Sequence, residues 1–181
     1  MYCLFDNEEV GSGTRQGADS DFLQRTLERL CAALGMDYPV AAANSFLVSA
    51  DNAHAVHPNH PEYADPTHRP HLNGGVVIKH SASQRYTTDA VSQAVFGEVC
   101  RRAEVPVQHF ANRSELPGGS TLGNIALAHV SLYSVDIGLA QLAMHSPYET
   151  AGAEDTDHLI RAMTAYYSLS FSVERDGRCR F

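Results

Sequence analysis

A chain of 181 residues, 44% hydrophobic and 19% charged, is long enough for one domain with a sizeable core. Its net charge of −8, with scattered basic residues, argues against nucleic acid as a partner. No apolar run approaches the roughly 18 residues of a membrane span, there is no signal peptide, and four cysteines without a CxxC pair read as reduced thiols of a cytoplasmic protein.

In chain order, the apolar run Tyr2-Cys3-Leu4-Phe5 predicts a buried strand that ends on Asp6-Asn7-Glu8-Glu9 and a glycine-rich turn. Asp19 or Ser20 can cap a helix over 21–34, with Phe22, Leu23, Leu27, Leu30, Cys31 and Leu34 as its apolar stripe and Gly35 as its stop. A strand over 45–49 runs into Ala50-Asp51-Asn52-Ala53-His54, and a long loop rich in Pro and His follows to Gly75. A strand is expected over 76–79, a helix over 89–103 capped by Thr88 or Asp89, and a strand over 106–110. Gly118-Gly119-Ser120-Thr121 turns into a helix over 122–130, without the lysine of a phosphate-binding loop. A strand over 131–137, a loop over 138–147 holding His145, and a helix over 154–173 complete the chain. Alternating strands and helices predict a three-layer α/β/α domain on a mixed, mainly parallel sheet, and such sheets bind ligands at the carboxyl ends of their strands.

Glu8-Glu9, Asp51 and His145 each follow a predicted strand. Two adjacent carboxylates resist joint ionisation in a packed setting, and a metal ion removes that cost. One can then ligate while the other serves a metal-bound water as general base. Read singly, these residues are weaker signals. Glu8-Glu9 also suits a solvated strand end, Asp51 a turn, His145 a surface histidine, and Lys79 a solvated strand-end charge. His57, His60, His68 and His71 read as loop histidines, with His57 the best placed to support a site.

The motifs FDNEEVGS, SADNAHAVHPN, GVVIKHSASQRYTT, PGGSTLGNIA and VDIGLAQLAMHS, with the terminal helix, resemble in order the aspartyl aminopeptidase family of dinuclear zinc exopeptidases. The resemblance covers nearly the whole chain. It implies Glu8 as general base, Glu9, Asp51 and His145 as metal ligands, and His54, Lys79 and Tyr86 as substrate contacts. Asp51 and His145 would serve one metal and Glu9 the other. The cofactors implied are two divalent ions: zinc, with cobalt or manganese as alternatives. The function implied is removal of N-terminal Asp or Glu from peptides by a metal-activated water, in a homo-oligomer when full length.

Residues 1–181 would then be the C-terminal part of a catalytic domain. The family's N-terminal metal-binding His, its metal-bridging Asp and its inserted second domain are absent from this sequence. The alternatives are an inactive remnant that binds metal or a partner, and a related aminopeptidase of other specificity.

Overall fold

The computed structural model describes residues 1–174 and 176–181. Its elements are α1 (Phe22–Ala33), α2 (Tyr38–Ala43), β1 (Phe46–Ala50), β2 (Ala53–His54), β3 (Val76–His80), α3 (Ala90–Arg102), β4 (Val107–Ala111), α4 (Leu122–Ala126), β5 (Tyr133–Gly138), β6 (Ala140–Leu142), β7 (Thr150–Ala151), α5 (Ala153–Ser168), β8 (Ser172–Val173) and β9 (Cys179–Arg180). Short 3-10 turns occupy Glu8–Val10 and Pro61–Tyr63.

The main sheet has the strand order β1-β5-β3-β4. β1 and β5 are parallel, as are β3 and β4, and only the β3–β5 junction is antiparallel. Val76, Val77, Ile78 and Lys79 of β3 are all buried, as expected of a strand covered on both faces. On one face, Val76, Ile78, Val135 and Ile137 pack with Phe96 and Cys100 of α3 and Ala162 of α5. Fully burying a side chain such as Phe96 contributes about 1.5–3 kcal/mol. On the other face, Leu47 meets Leu23 of α1 and Ala126 of α4. The architecture is therefore the expected mixed α/β one with helices on both faces.

Several helix boundaries follow from their caps. Asp89 accepts a hydrogen bond from the Ser92 amide at 2.7 Å while the Ser92 hydroxyl accepts from the Asp89 amide at 2.9 Å, a reciprocal capping box that starts α3. At α1 the cap position is Asp21, and Ser20 Oγ accepts from the Phe22 amide at 3.2 Å.

Other expectations are corrected. Residues 2–5 form no strand: Tyr2 and Leu4 are 74% and 77% exposed. Apolar character alone does not make a strand without a neighbour to receive its backbone hydrogen bonds. α4 ends at Ala126 and passes into turns, and α5 ends at Ser168, both short of expectation. The stretch 138–147 is not all loop. It contains β6, which pairs with β2 and β7 in a small second sheet. α2, capped by Asp37 accepting from the Val40 amide at 3.1 Å, was not anticipated.

Candidate active site

The acidic pair sits on a turn built by positive backbone angles. Asn7, Gly11 and Ser12 have φ of 62°, 98° and 60°. Asn7 Oδ1 accepts from the Thr14 hydroxyl at 2.9 Å and from Gln16 Nε2 at 3.3 Å, tying the turn to the chain that follows it. Asp51 leaves the carboxyl end of β1, and a Cβ at Gly138 of β5 would strike the Asp51 carbonyl oxygen, so only glycine permits this approach. His145 lies in the hairpin between β6 and β7, with φ of 69°, and its amide donates to Glu149 Oε1 at 2.6 Å.

These segments converge. His145 Nε2 is 2.9 Å from Glu9 Oε2. Lys79, 2% exposed, donates from Nζ to the Asn52 carbonyl at 2.9 Å and approaches Asp51 Oδ2 at 3.4 Å. The same Nζ stands 5.2 Å from the Tyr86 ring centroid, a cation–π distance. Tyr86 is buried beside Phe110, and its hydroxyl accepts from Asn112 Nδ2 at 3.3 Å. The His54 ring lies 6.4 Å from that of Phe110.

Electrostatics tie the set together. Burial pushes the Glu8 carboxyl above its usual range. The nearby charges of Asp51 and Glu9 add to this, while His145 and Lys79 oppose it. The His54 ring is depressed first by burial, then by the charges of Lys79 and His145, although much of the residue's surface is open. Burial raises the Tyr86 phenol. Thus Glu8, Glu9, Asp51, His54, Lys79, Tyr86 and His145 share one neighbourhood. His57 lies instead beside His60, 5.6 Å between ring centroids with the planes tilted by 37°. Within the set the close pairs are Glu9 with His145 and Asp51 with Lys79.

Two buried acids escaped the sequence reading. Asp136 of β5 is 0% exposed and accepts from the Thr87 amide at 2.6 Å, the Thr87 hydroxyl at 2.8 Å and the Thr121 hydroxyl at 2.8 Å. It therefore fixes both the segment that carries Tyr86 and the Gly-Gly-Ser-Thr turn. A Cβ at Gly123 would come 2.8 Å from Asp136 Oδ1, so the start of α4 packs against the acid. Asp155 of α5, also 0% exposed, accepts from the Asn73 and Gly75 amides at 2.7 and 2.9 Å, holding the entry to β3. The available signal for Asp136 was a carboxylate in the middle of a buried apolar strand. Asp136→Ala strands the Thr87 amide and the Thr121 hydroxyl at about 1–3 kcal/mol each, while the Thr87 hydroxyl keeps Ser134 Oγ at 2.9 Å. It should lower stability by about 3 kcal/mol or more in urea unfolding, and a loss under about 1 kcal/mol would show that the clamp is dispensable.

The family model described as aminopeptidase I zinc metalloprotease, M18, matches residues 1–167. The chain belongs to the M18 family. It is 51% identical over 172 residues to the Probable M18 family aminopeptidase 2 of Clostridium acetobutylicum, covering 93% of this chain and 40% of that one. The namesake of Pseudomonas aeruginosa is 47% identical over 165 residues, covering 91% and 38%. Among solved M18-like structures, yeast aminopeptidase 1 superimposes with a TM-score of 0.79 at 32% identity, covering 91% of this chain and 37% of that one. The yeast mApe1 dodecamer gives the same values. The chain thus spans about two fifths of the length of the curated M18 relatives it matches.

The M18 family is one of zinc metalloproteases. The donors gathered here fit zinc in kind, since carboxylate and imidazole are zinc ligands. They fall short in number: among the described residues, no three His, Cys, Asp or Glu side chains are arranged to hold one ion. Glu9 and His145 supply one pair of donors, and Asp51 is engaged with Lys79. The close pairs seen here thus bring at most two such donors, Glu9 and His145, within reach of one point.

Proposed function

We propose that the protein to which this chain contributes is an M18 aminopeptidase that removes N-terminal Asp or Glu from peptides with the help of two metal ions. The observation that carries the acidic specificity is Lys79. Its ammonium is buried, anchored at 2.9 Å on a backbone carbonyl, and only loosely engaged at 3.4 Å by Asp51. A buried cation with a weak partner discriminates strongly for an opposite charge. An acidic side chain on the first residue of a peptide supplies that charge.

Glu9, His145 and Asp51 would hold metal. Bound metal would supply Lewis acidity and lower the pKa of a water molecule. Glu8, free of the two close pairs, would accept the proton of the attacking water and return it to the leaving amine. Its raised pKa suits that double role. Tyr86 and His54 would hydrogen-bond the substrate beside Lys79. By analogy with the yeast dodecamer, the full-length protein would be a homo-oligomer.

Assays of the full-length protein on aspartyl, glutamyl, leucyl and alanyl amides test this reading. Preference for the neutral substrates would remove the acidic specificity. Lys79→Met should cut the acidic-over-neutral preference by about tenfold or more while changing leucyl turnover little, because it deletes a charge contact made only with acidic substrates. A second reading, a module that binds metal or a partner without catalysis, is favoured by the missing third donor. No turnover by the metal-loaded full-length protein would select it.

A further inference from the structure

Strand alternation divides β3 between two faces. Val77 and Lys79 turn toward Tyr86 and Phe110, whereas Val76 and Ile78 turn toward Phe96 and Cys100. His80 lies two residues beyond Ile78, and His109 is the register partner of Ile78 on β4. Both histidines therefore leave the sheet on the face opposite Lys79.

There, His80 Nε2 and His109 Nδ1 stand 3.0 Å apart, with ring centroids 5.2 Å apart and planes 32° from parallel. His68, from the loop that wraps the β4 edge, brings a third ring to 6.5 Å from that of His80. Its Nδ1 lies 3.1 Å from Asp65 Oδ1, which fixes the N–H on that side and leaves Nε2 with a lone pair. A carboxylate on the far ring nitrogen is how proteins orient histidines toward metals. Burial depresses the pKa of both His80 and His109, with neighbouring histidines adding to it (His109 and then His68 at His80, His68 at His109), so both rings favour the neutral form, in which one lends its N–H to the other's lone pair. An open depression of about 470 Å³ between α3 and β4, lined by His109, Ile78, Gln93 and Gly97, leads to the pair from solvent.

We propose that His80 and His109, with His68 swinging in, form a binding site for a divalent transition metal (copper, nickel or zinc) separate from the Glu9–His145 cluster. Two nitrogens bound to zinc at about 2.0–2.1 Å and a tetrahedral angle lie roughly 3.4 Å apart. The observed 3.0 Å needs a few tenths of an ångström of opening, a turn of the two rings toward one point, and a tautomer shift that moves the shared N–H proton to the far nitrogen of its own ring. The three donors do not yet surround one point, so His68 must rotate, and its side chain, 44% exposed on a loop, has room to do so. Imidazole donors without a carboxylate favour copper over zinc, following the general affinity order of divalent metals.

The test titrates metal-stripped protein with zinc chloride by calorimetry and with copper chloride by electron paramagnetic resonance. One equivalent should bind in the Glu9→Gln and His57→Gln variants, with nitrogen hyperfine coupling from at least two imidazoles in the copper spectrum. His80→Gln and His109→Gln should each weaken that binding at least about tenfold, the scale on which even outer partners of a ligand act. In the unsubstituted protein, side-chain NMR signals of His80 and His109 should shift on adding zinc. Their failure to shift, or unchanged affinity in both variants, would overturn the site and leave the pair as a plain imidazole–imidazole hydrogen bond.

Discussion

Glu8→Gln in the full-length protein is expected to keep its bound metal and lose turnover by at least about 10²-fold, the lower range for removing a general base. Glu8 is the acid in the cluster that enters neither close pair: Glu9 faces His145 at 2.9 Å, and Asp51 faces Lys79 at 3.4 Å. Its carboxyl is pushed upward by burial and by both neighbouring carboxylates. A glutamine of the same shape preserves the turn between Asn7 and Gly11, whose hydrogen bonds run through the backbone, and removes only the proton acceptor. Glu9→Gln or Asp51→Asn should instead reduce bound metal, because each deletes a charged donor. Elemental analysis beside an aspartyl-amide assay separates the two outcomes. If Glu8→Gln strips metal and Glu9→Gln does not, the two roles are reversed.

That experiment rests on residues legible in the sequence because each carries a local signature. Glu8-Glu9 sits before a run of glycines, Asp51 follows an apolar run, and Lys79 ends one. The strand β3 was legible through a continuous apolar run, β5 through the apolar residues around Asp136, and the helix α3 through a capping residue at Thr88 or Asp89. What the sequence hid depends on distant partners. The run at residues 2–5 is as apolar as a strand but has no pairing neighbour among the described residues. β6 is three residues long and exists because β2 and β7 accept it. Asp136 reads as one acid in an apolar strand until Thr87 and Thr121, 49 and 15 residues away, donate to it. The pairing of His80 with His109 is likewise set by strand register. The carboxylate and imidazole types were thus readable, whereas the pairing of Glu9 with His145 and of Asp51 with Lys79 required the fold.

Residues 1–181 expressed alone are expected to be inactive toward aspartyl amides, to bind zinc weakly at the Glu9–His145 cluster, and to self-associate. A zinc site is normally closed by three or four ligands, and each lost ligand lowers affinity steeply. Among the described residues, Glu9 and His145 are the expected ligands that meet, and drawing in Asp51 would separate it from the ammonium of Lys79. Weak metal binding also removes the stabilisation that a ligand gives to the folded form. The sheet adds a second difficulty. β1 and β4 are its outer strands, and among the described residues neither has a further strand partner, which leaves backbone donors and acceptors open to another chain. Near the N-terminus and α2, Tyr2, Leu4, Val10, Leu34, Met36 and Val40 are all exposed apolar side chains. Such a surface favours association. Metal analysis, an aspartyl-amide assay and light scattering on the purified 181-residue chain check the three outcomes together. Zinc-dependent cleavage by a stable monomer would refute the expectation. It would require a further donor, with Asp6 next to the acidic pair and His57 beyond Asp51 as the first to replace.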